Sequence, residues 1–409
     1  MQTHSPHDRV PSLVLCCVQK LAQTLVKYGP KKVRLAQLSL LPRCALEDLL
    51  DILVARNALN DNVLPHVLTR QTQRLCLEGS SQLRRCLLNT IGRSCPNLRV
   101  LDVRGCQQVD NRIVRDVLQH CELLICLRLE GCPRISDTAF APALWKPPLA
   151  GLLGLEELSI GKCGQVTAEG LLGYVMKGAP MLRTLDVACC RLMITDEVAG
   201  ELLFNFGLCS LDLSFSQQLT DAPFSLGKVC MLRQLNVANT ALSDAAVEQL
   251  AACAVHLETL DASSVLRLSD KSIFALAKHC CCLRTLRVSN SQITDAAFEA
   301  LSRCPRLEIL DASWCIRATS RAIELLASAG DVSGESQLGP CPLYRVHTWP
   351  HSSSSSSSCP SSGLSPQLQP QPQPQSRQSF VELCLDGLGE LRLDTAEVQA
   401  LCKVPGSPE

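Results

Sequence analysis

Between Leu75 and Ala312 a short apolar triplet alternates with a longer amphipathic stretch. The triplets have the form Leu-x-Φ and run Leu75-Cys-Leu77, Leu101-Asp-Val103, Leu127-Arg-Leu129, Leu158-Ser-Ile160 and Leu185-Asp-Val187. They continue as Leu211-Asp-Leu213, Leu235-Asn-Val237, Leu260-Asp-Ala262, Leu286-Arg-Val288 and Leu310-Asp-Ala312. Alternation of this kind predicts strands whose two outer residues face a core and whose middle residue faces the open side. Many of the strands are followed by a helix start written apolar, Ser/Thr, Asp, as in Ile135-Ser-Asp137, Ile194-Thr-Asp196, Leu242-Ser-Asp244, Leu268-Ser-Asp270 and Ile293-Thr-Asp295. The hydroxyl can cap the helix, and the Asp meets the positive end of the helix dipole. Successive triplets start 24 to 27 residues apart, apart from a longer step between Leu127 and Leu158. One strand and one helix per period predicts a stacked α/β solenoid, because a single unit cannot bury its own apolar face.

The segments on either side break the pattern. Residues 1–70 carry no repeat and predict a helical cap. In Ser12-Leu-Val-Leu-Cys-Cys-Val-Gln-Lys-Leu21, the residues Leu13, Cys17 and Leu21 recur every four positions and share one helical face, with Ser12 placed to cap it. A small thiol between two leucines lets a partner surface approach closely; the plainer reading is an amphipathic helix that shields the first repeat. Tyr28-Gly-Pro30 stops this helix. A second begins near Leu41-Pro42, and its Leu46, Leu49, Leu50 and Leu53 form a clean apolar face. Residues 71–349 hold the repeats. The stretch 141–153 lengthens one repeat around Trp145, and Leu343–Trp349 reads as a last strand. Residues 350–379, a serine run followed by Gln-Pro alternation, cannot build a core. Residues 380–409 read as a displaced terminal repeat or a tail, because Phe380–Gly387 again looks like a strand core.

Composition narrows the function. The chain has 39 basic and 39 acidic residues and no net charge. Nucleic acid as the main partner needs a basic surplus. No early apolar run is long enough for a membrane span. These features point to a chain of the cytoplasm, with the nucleus open as a second compartment. The 25 cysteines include no C-x-x-C pair, so structural zinc spacing is missing. Many recur at fixed repeat positions, among them Cys106, Cys132, Cys163, Cys189 and Cys315 after strands, and Cys95, Cys121, Cys280 and Cys304 at helix ends. They read as reduced, packed thiols. The eight histidines are scattered without metal spacing, and no Gly-rich phosphate loop precedes a helix. The chain therefore reads as a binding protein, with neither catalytic residues nor a cofactor.

The open side of the strands is the expected binding surface. Its first row reads Asp102, Arg128, Ser159, Asp186, Asp212, Asn236, Asp261, Arg287, Asp311, and the next row is mostly Gly, Ala and Ser. Asp186, Asp212 and Asp261 thus form an acidic row, pointing to solvent beside small neighbours, that suits a basic peptide. Asp after the first Leu can equally be a habit of the repeat. Phe215 and Trp314 stand at strand exits where small residues are usual, as candidate aromatic anchors.

These repeats resemble the cysteine-containing leucine-rich repeats of F-box/leucine-rich-repeat proteins and of antagonist-of-mitotic-exit-network proteins. The residues of the cap, Ser12, Leu13, Cys17 and Leu21 followed by Leu41-Pro42, resemble the box with which zyg-11, zer-1 and related receptors grip elongin B/C. Leu-Pro before an apolar helix is also similar to the first half of an F-box. The Trp-bearing second half is missing, so the F-box adaptor ranks second. The resemblance implies a horseshoe of repeats that serves as substrate receptor of a cullin–RING ubiquitin ligase. The cap would hold the adaptor, and the repeats would hold a protein substrate destined for degradation. A non-catalytic scaffold or inhibitor without a ligase is the rival reading.

Overall fold

The structure is a computed structural model that describes residues 13–29, 33, 35–141, 150–190, 193–226, 231–319, 321–328, 343–347 and 380–384. The chain divides into two compact units, residues 1–236 and 237–409.

The first unit begins with helix α1 (Leu13–Tyr28), a 3-10 turn over Leu35–Leu40, and helix α2 (Arg43–Ala55). Pro42 is the N-cap of α2 at φ −55 and ψ 148, so its ring blocks the helix from running backwards. The leucine face read from the sequence is the buried one: Leu46, Leu49, Leu50 and Leu53 are at most 1% exposed. At about 1.5–3 kcal/mol per buried leucine, this face dominates the stability of the cap.

The cap also closes the open edge of the sheet. Glu47 Oε1 accepts the backbone N–H groups of Gln73 and Arg74, both at 3.1 Å, and Asp51 pairs with the Arg74 guanidinium. An exposed strand edge is a site of unwanted pairing, and α2 covers it with a carboxylate that satisfies two donors.

Seven parallel strands follow: β1 (Arg74–Cys76), β2 (Val100–Asp102), β3 (Cys126–Arg128), β4 (Glu157–Ser159), β5 (Thr184–Asp186), β6 (Ser210–Asp212) and β7 (Gln234–Asn236). The central leucines stand in register, Leu75 beside Leu101, then Leu127, Leu158, Leu185, Leu211 and Leu235. Of the lengthened repeat, residues 142–149 with Trp145 lie outside the described part, and Ala150–Leu153 form a helical turn. The following helix, Gly170–Met176, is a π-helix, and a Cβ at Gly170 would collide with the Asp137 carboxylate.

The second unit carries β8 (Thr259–Asp261), β9 (Thr285–Arg287) and β10 (Ile309–Asp311), with helices Asp244–Cys253, Asp270–His279 and Asp295–Leu301. Its strands then leave chain order. β11 (Leu343–His347) does not pair with β10. Strand β12 (Phe380–Cys384) takes that place, with Leu383 beside Leu310, and β11 pairs with the far side of β12. The segment that looked like a displaced strand core thus holds the ladder register, and the segment that looked like a last strand lies beyond it. The low-complexity residues 350–379 and the tail 385–409 fall outside the described residues.

Two ladders tie neighbouring repeats together. In the first, each helix-start Asp reaches the Ser or Thr of the next repeat. Asp137 holds the N–H and hydroxyl of Thr167, Asp196 those of Thr220, Asp244 those of Ser269 and Asp295 those of Thr319, all at 2.5–2.8 Å. In the second, buried thiols donate to a carbonyl one repeat back: Cys106 to Leu77 at 3.0 Å, Cys132 to Val103 and Cys163 to Leu129 at 3.2 Å, and Cys190 to Ile160 at 3.6 Å. The thiol at this position is therefore Cys190 and not the expected Cys189. Cys190 lies five residues after Leu185, as Cys106 lies five after Leu101, whereas Cys189 occupies the left-handed position before it.

Candidate functional site

The cap presents α1 as follows. Val18, Ala22 and Leu25 are buried, and α1 packs on α2. Their i, i+4, i+7 spacing marks the packed face. The stripe Leu13, Cys17, Leu21 lies beside that face. Cys17 is exposed and Leu21 half-buried; the side chain of Leu13 and the whole of Ser12 lie outside the described part. Leu41 is half-buried and Pro42 exposed. Next to them Leu40 is 80% exposed, and Val14, Val26 and Tyr28 are exposed on α1. The cap thus covers its repeats with one face and keeps apolar side chains on its outside. Such residues, clustered, are what a partner buries.

On the strand face of the first unit, charges pair along the early strands. Arg104 binds Asp102 through Nε and Nη2 at 2.9 and 2.8 Å and reaches Glu78 at 2.9 Å. Arg128 meets Glu157 at 2.6 Å and Asp102 at 3.6 Å, and Lys162 meets Glu130 at 2.8 Å. The row then changes. Asp186 and Asp212 sit side by side in register, and no ion pair to either is formed among the described residues.

These aspartates are not simply pointed at solvent, as the sequence reading had them; both are half-buried. Asp186 Oδ1 accepts the Ala188 N–H at 2.9 Å and Oδ2 the Ser159 hydroxyl at 2.5 Å. Asp212 Oδ1 accepts the Ser214 N–H at 2.9 Å and Oδ2 the Asn236 amide at 2.8 Å. In the second unit Asp261 accepts the Ser263 N–H at 3.0 Å and faces Arg287 at 3.9 Å. Asp102 and Asp311 make the same bond to the N–H two residues on. The Asp therefore builds the turn that leaves each strand, a local bond that short acidic side chains form readily. Burial and the neighbouring Asp186 push the Asp212 carboxyl up to about 6, and burial raises Asp186 as well. Lys162, paired with Glu130, acts on Asp186 from beyond ion-pair distance, and two adjacent carboxylates without a paired cation favour a positively charged guest.

The exit turn itself is left-handed. Gly79, Gly105 and Gly131 hold φ near +70, and Lys162, Cys189, Phe215, Asn239, Ser264, Asn290 and Trp314 hold φ of 54 to 63. Phe215 is half-buried and Trp314 is 57% exposed. Among the described residues no group of three His, Cys, Asp or Glu could hold a metal ion, and no helix is long and apolar enough to cross a membrane.

The family model "Leucine Rich repeat" matches residues 279–302. That span covers the end of one repeat helix, strand β9 and the whole of the next helix, which is one period of the ladder. The fold is that of a leucine-rich-repeat solenoid. Among solved structures, the chain is similar in fold to a chain of the Rad7 and Elc1 complex in yeast. It is 19% identical, with 78% of this chain and 91% of that one covered and a TM-score of 0.55. An internalin (inlF) of Listeria monocytogenes is 16% identical over 64% of this chain and 80% of its own, with a TM-score of 0.42.

Proposed function

We propose that this leucine-rich-repeat protein is a substrate receptor of a cullin–RING ubiquitin ligase, non-catalytic itself, with an elongin-type adaptor on its cap and a protein substrate on its repeats. The observation that carries the reading is the exposed Cys17 on α1, with Leu21 half-buried next to it, on a helix whose other face already packs on α2. A helix that merely shielded the repeats would need only Val18, Ala22 and Leu25. The box Ser12, Leu13, Cys17, Leu21 and the following Leu41-Pro42 supply the elongin-type pattern, and the chain similar in fold was solved in a complex with Elc1. The finer reading of the substrate is a basic segment whose cation sits between Asp186 and Asp212, the carboxylate pair that forms no ion pair among the described residues. The place of action is the cytoplasm or the nucleus.

Affinity purification of the tagged chain followed by mass spectrometry tests this. Elongins B and C with a cullin support the proposal. Recovery of the F-box adaptor instead moves the chain to the other ligase class. Recovery of neither leaves the scaffold reading.

A further inference from the structure

The second unit carries apolar side chains where the repeat does not call for them. Six residues after the central strand leucine, the rim position reads Ser81, Gln107, Pro133, Gly164, Arg191, Gln217 and Ala241, and then Leu266, Gln292 and Ile316. Polar or small residues therefore satisfy the fold there, yet Leu266 is 59% and Ile316 75% exposed. Consecutive exit loops are fixed to one another: Gln292 Nε2 donates to the Leu266 carbonyl at 2.9 Å, and the Asn290 N–H to the Ser313 carbonyl at 2.7 Å. Neighbouring strands lie about 4.8 Å apart, so Leu266 and Ile316 stand roughly 10 Å apart on either side of Gln292.

Trp314 stands in the same loop as Ile316. Its φ of 62 falls where the first three repeats use glycine, a conformation that crowds the Cβ of any residue with a side chain. Asp311 Oδ1 holds the Ser313 N–H at 3.0 Å, and Cys315 Sγ donates to the Val288 carbonyl at 3.3 Å. The ring is thus displayed from a loop braced on both sides of it. A large aromatic already held in place loses little freedom when it is covered.

The charges beside this row are positive. Arg267 and Arg317 each follow an exposed apolar residue, Leu266 and Ile316, and both are exposed. Neither forms an ion pair among the described residues. The nearby acids are used internally, Asp270 on Thr294 and Asp295 on Thr319.

We propose that Leu266, Trp314 and Ile316, flanked by Arg267 and Arg317, form a docking surface for an acidic segment of a partner protein that carries apolar anchors. The anchors cover the rim row and the carboxylates meet the two guanidinium groups; a basic segment would meet like charge. This deepens the receptor reading by naming the chemistry of what the second unit holds, and it rests on that reading only for the partner's role as substrate.

The test is selection of a random displayed-peptide library on the full chain, with Trp314→Gly and Arg317→Glu as competing targets. Glycine fits φ 62 without strain, so Trp314→Gly keeps the fold, and its melting temperature verifies this. Enriched peptides combine Asp or Glu with Leu, Phe or Trp, and the best of them, made synthetically, loses at least about tenfold in affinity to either variant. Absence of acidic peptides from the enriched pool, or equal binding of the enriched acidic peptides to Trp314→Gly, overturns the proposal. A dimer in sedimentation that Trp314→Gly dissolves also overturns it, because the occupant is then a second copy. No adaptor is present in this experiment, so failure of the cap reading leaves its outcome unchanged.

Discussion

Asp270 and Thr294 meet across a repeat boundary by two bonds, from the Thr294 N–H to Oδ1 and from its hydroxyl to Oδ2, both at 2.7 Å. The same threonine then caps its own helix, accepting from the Ala296 N–H at 3.4 Å. One carboxylate therefore sets where the next helix begins. Asp270→Ala leaves the Thr294 donors unpaired and should cost about 2–4 kcal/mol, given about 1.5–3 for a hydrogen bond to a charged group. Urea unfolding measures this. A loss below about 0.5 kcal/mol would show that the ladder is ornamental.

The thiol ladder predicts a two-class alkylation pattern. Cys17, Cys44, Cys86 and Cys281 are exposed and should label in the native chain. Burial pushes Cys106 up to about 11 and Cys121, Cys132 and Cys163 up to about 12, so neutral thiols held against carbonyls should label only after denaturation. Mass spectrometry of alkylated peptides separates the classes. Stable bridges among the ladder cysteines, in protein prepared without reductant, would contradict the account.

The strand ladder was legible in the chain because a period near 25 residues, with Leu-x-Φ at every step, admits few other solutions. The position of each thiol was legible too, but only by counting from the strand leucine; Cys189 beside Cys190 misled because the two are chemically identical. The role of the aspartates was half visible. Sequence shows that Asp186 and Asp212 face the open side, yet the hydrogen bond from Asp to the N–H two residues on exists only once the exit turn is left-handed. Likewise the apolar stripe of α1 and its packed face differ by one residue, Cys17 against Val18, and only the partner helix α2 decides which is covered. The order of β11 and β12 was not legible, since local pattern says nothing about which of two strand-like segments pairs with β10.

Asp212 makes a prediction about pH. Its folded-state carboxyl lies near 6, above the ordinary carboxylate value of 3.8, because burial and Asp186 disfavour the charge. The folded chain therefore binds the proton more tightly than the unfolded one between these values. Stability from this group is greatest at low pH and is lost as pH rises from about 4 through 6. Asp212→Asn keeps an acceptor for the Ser214 N–H and should raise the melting temperature at pH 7 while flattening its dependence between pH 4 and 6. If the acidic pair receives a basic segment, the same variant should weaken that binding. A melting temperature lower at pH 7 than the parent's would show that the charge stabilises the turn.

The central claim is that α1 offers one face to the chain and another to an adaptor. Calorimetric titration of purified elongin B–elongin C complex into the full chain, paired with thermal melting, tests it most directly. The parent chain should bind saturably. Cys17→Asp, a change at an exposed position, should weaken binding by at least about thirtyfold, which corresponds to roughly 2 kcal/mol, with the melting temperature unchanged. Val18→Asp, one residue away on the packed face, should lower the melting temperature instead. No binding by the parent chain, or undiminished binding by Cys17→Asp, would contradict the account.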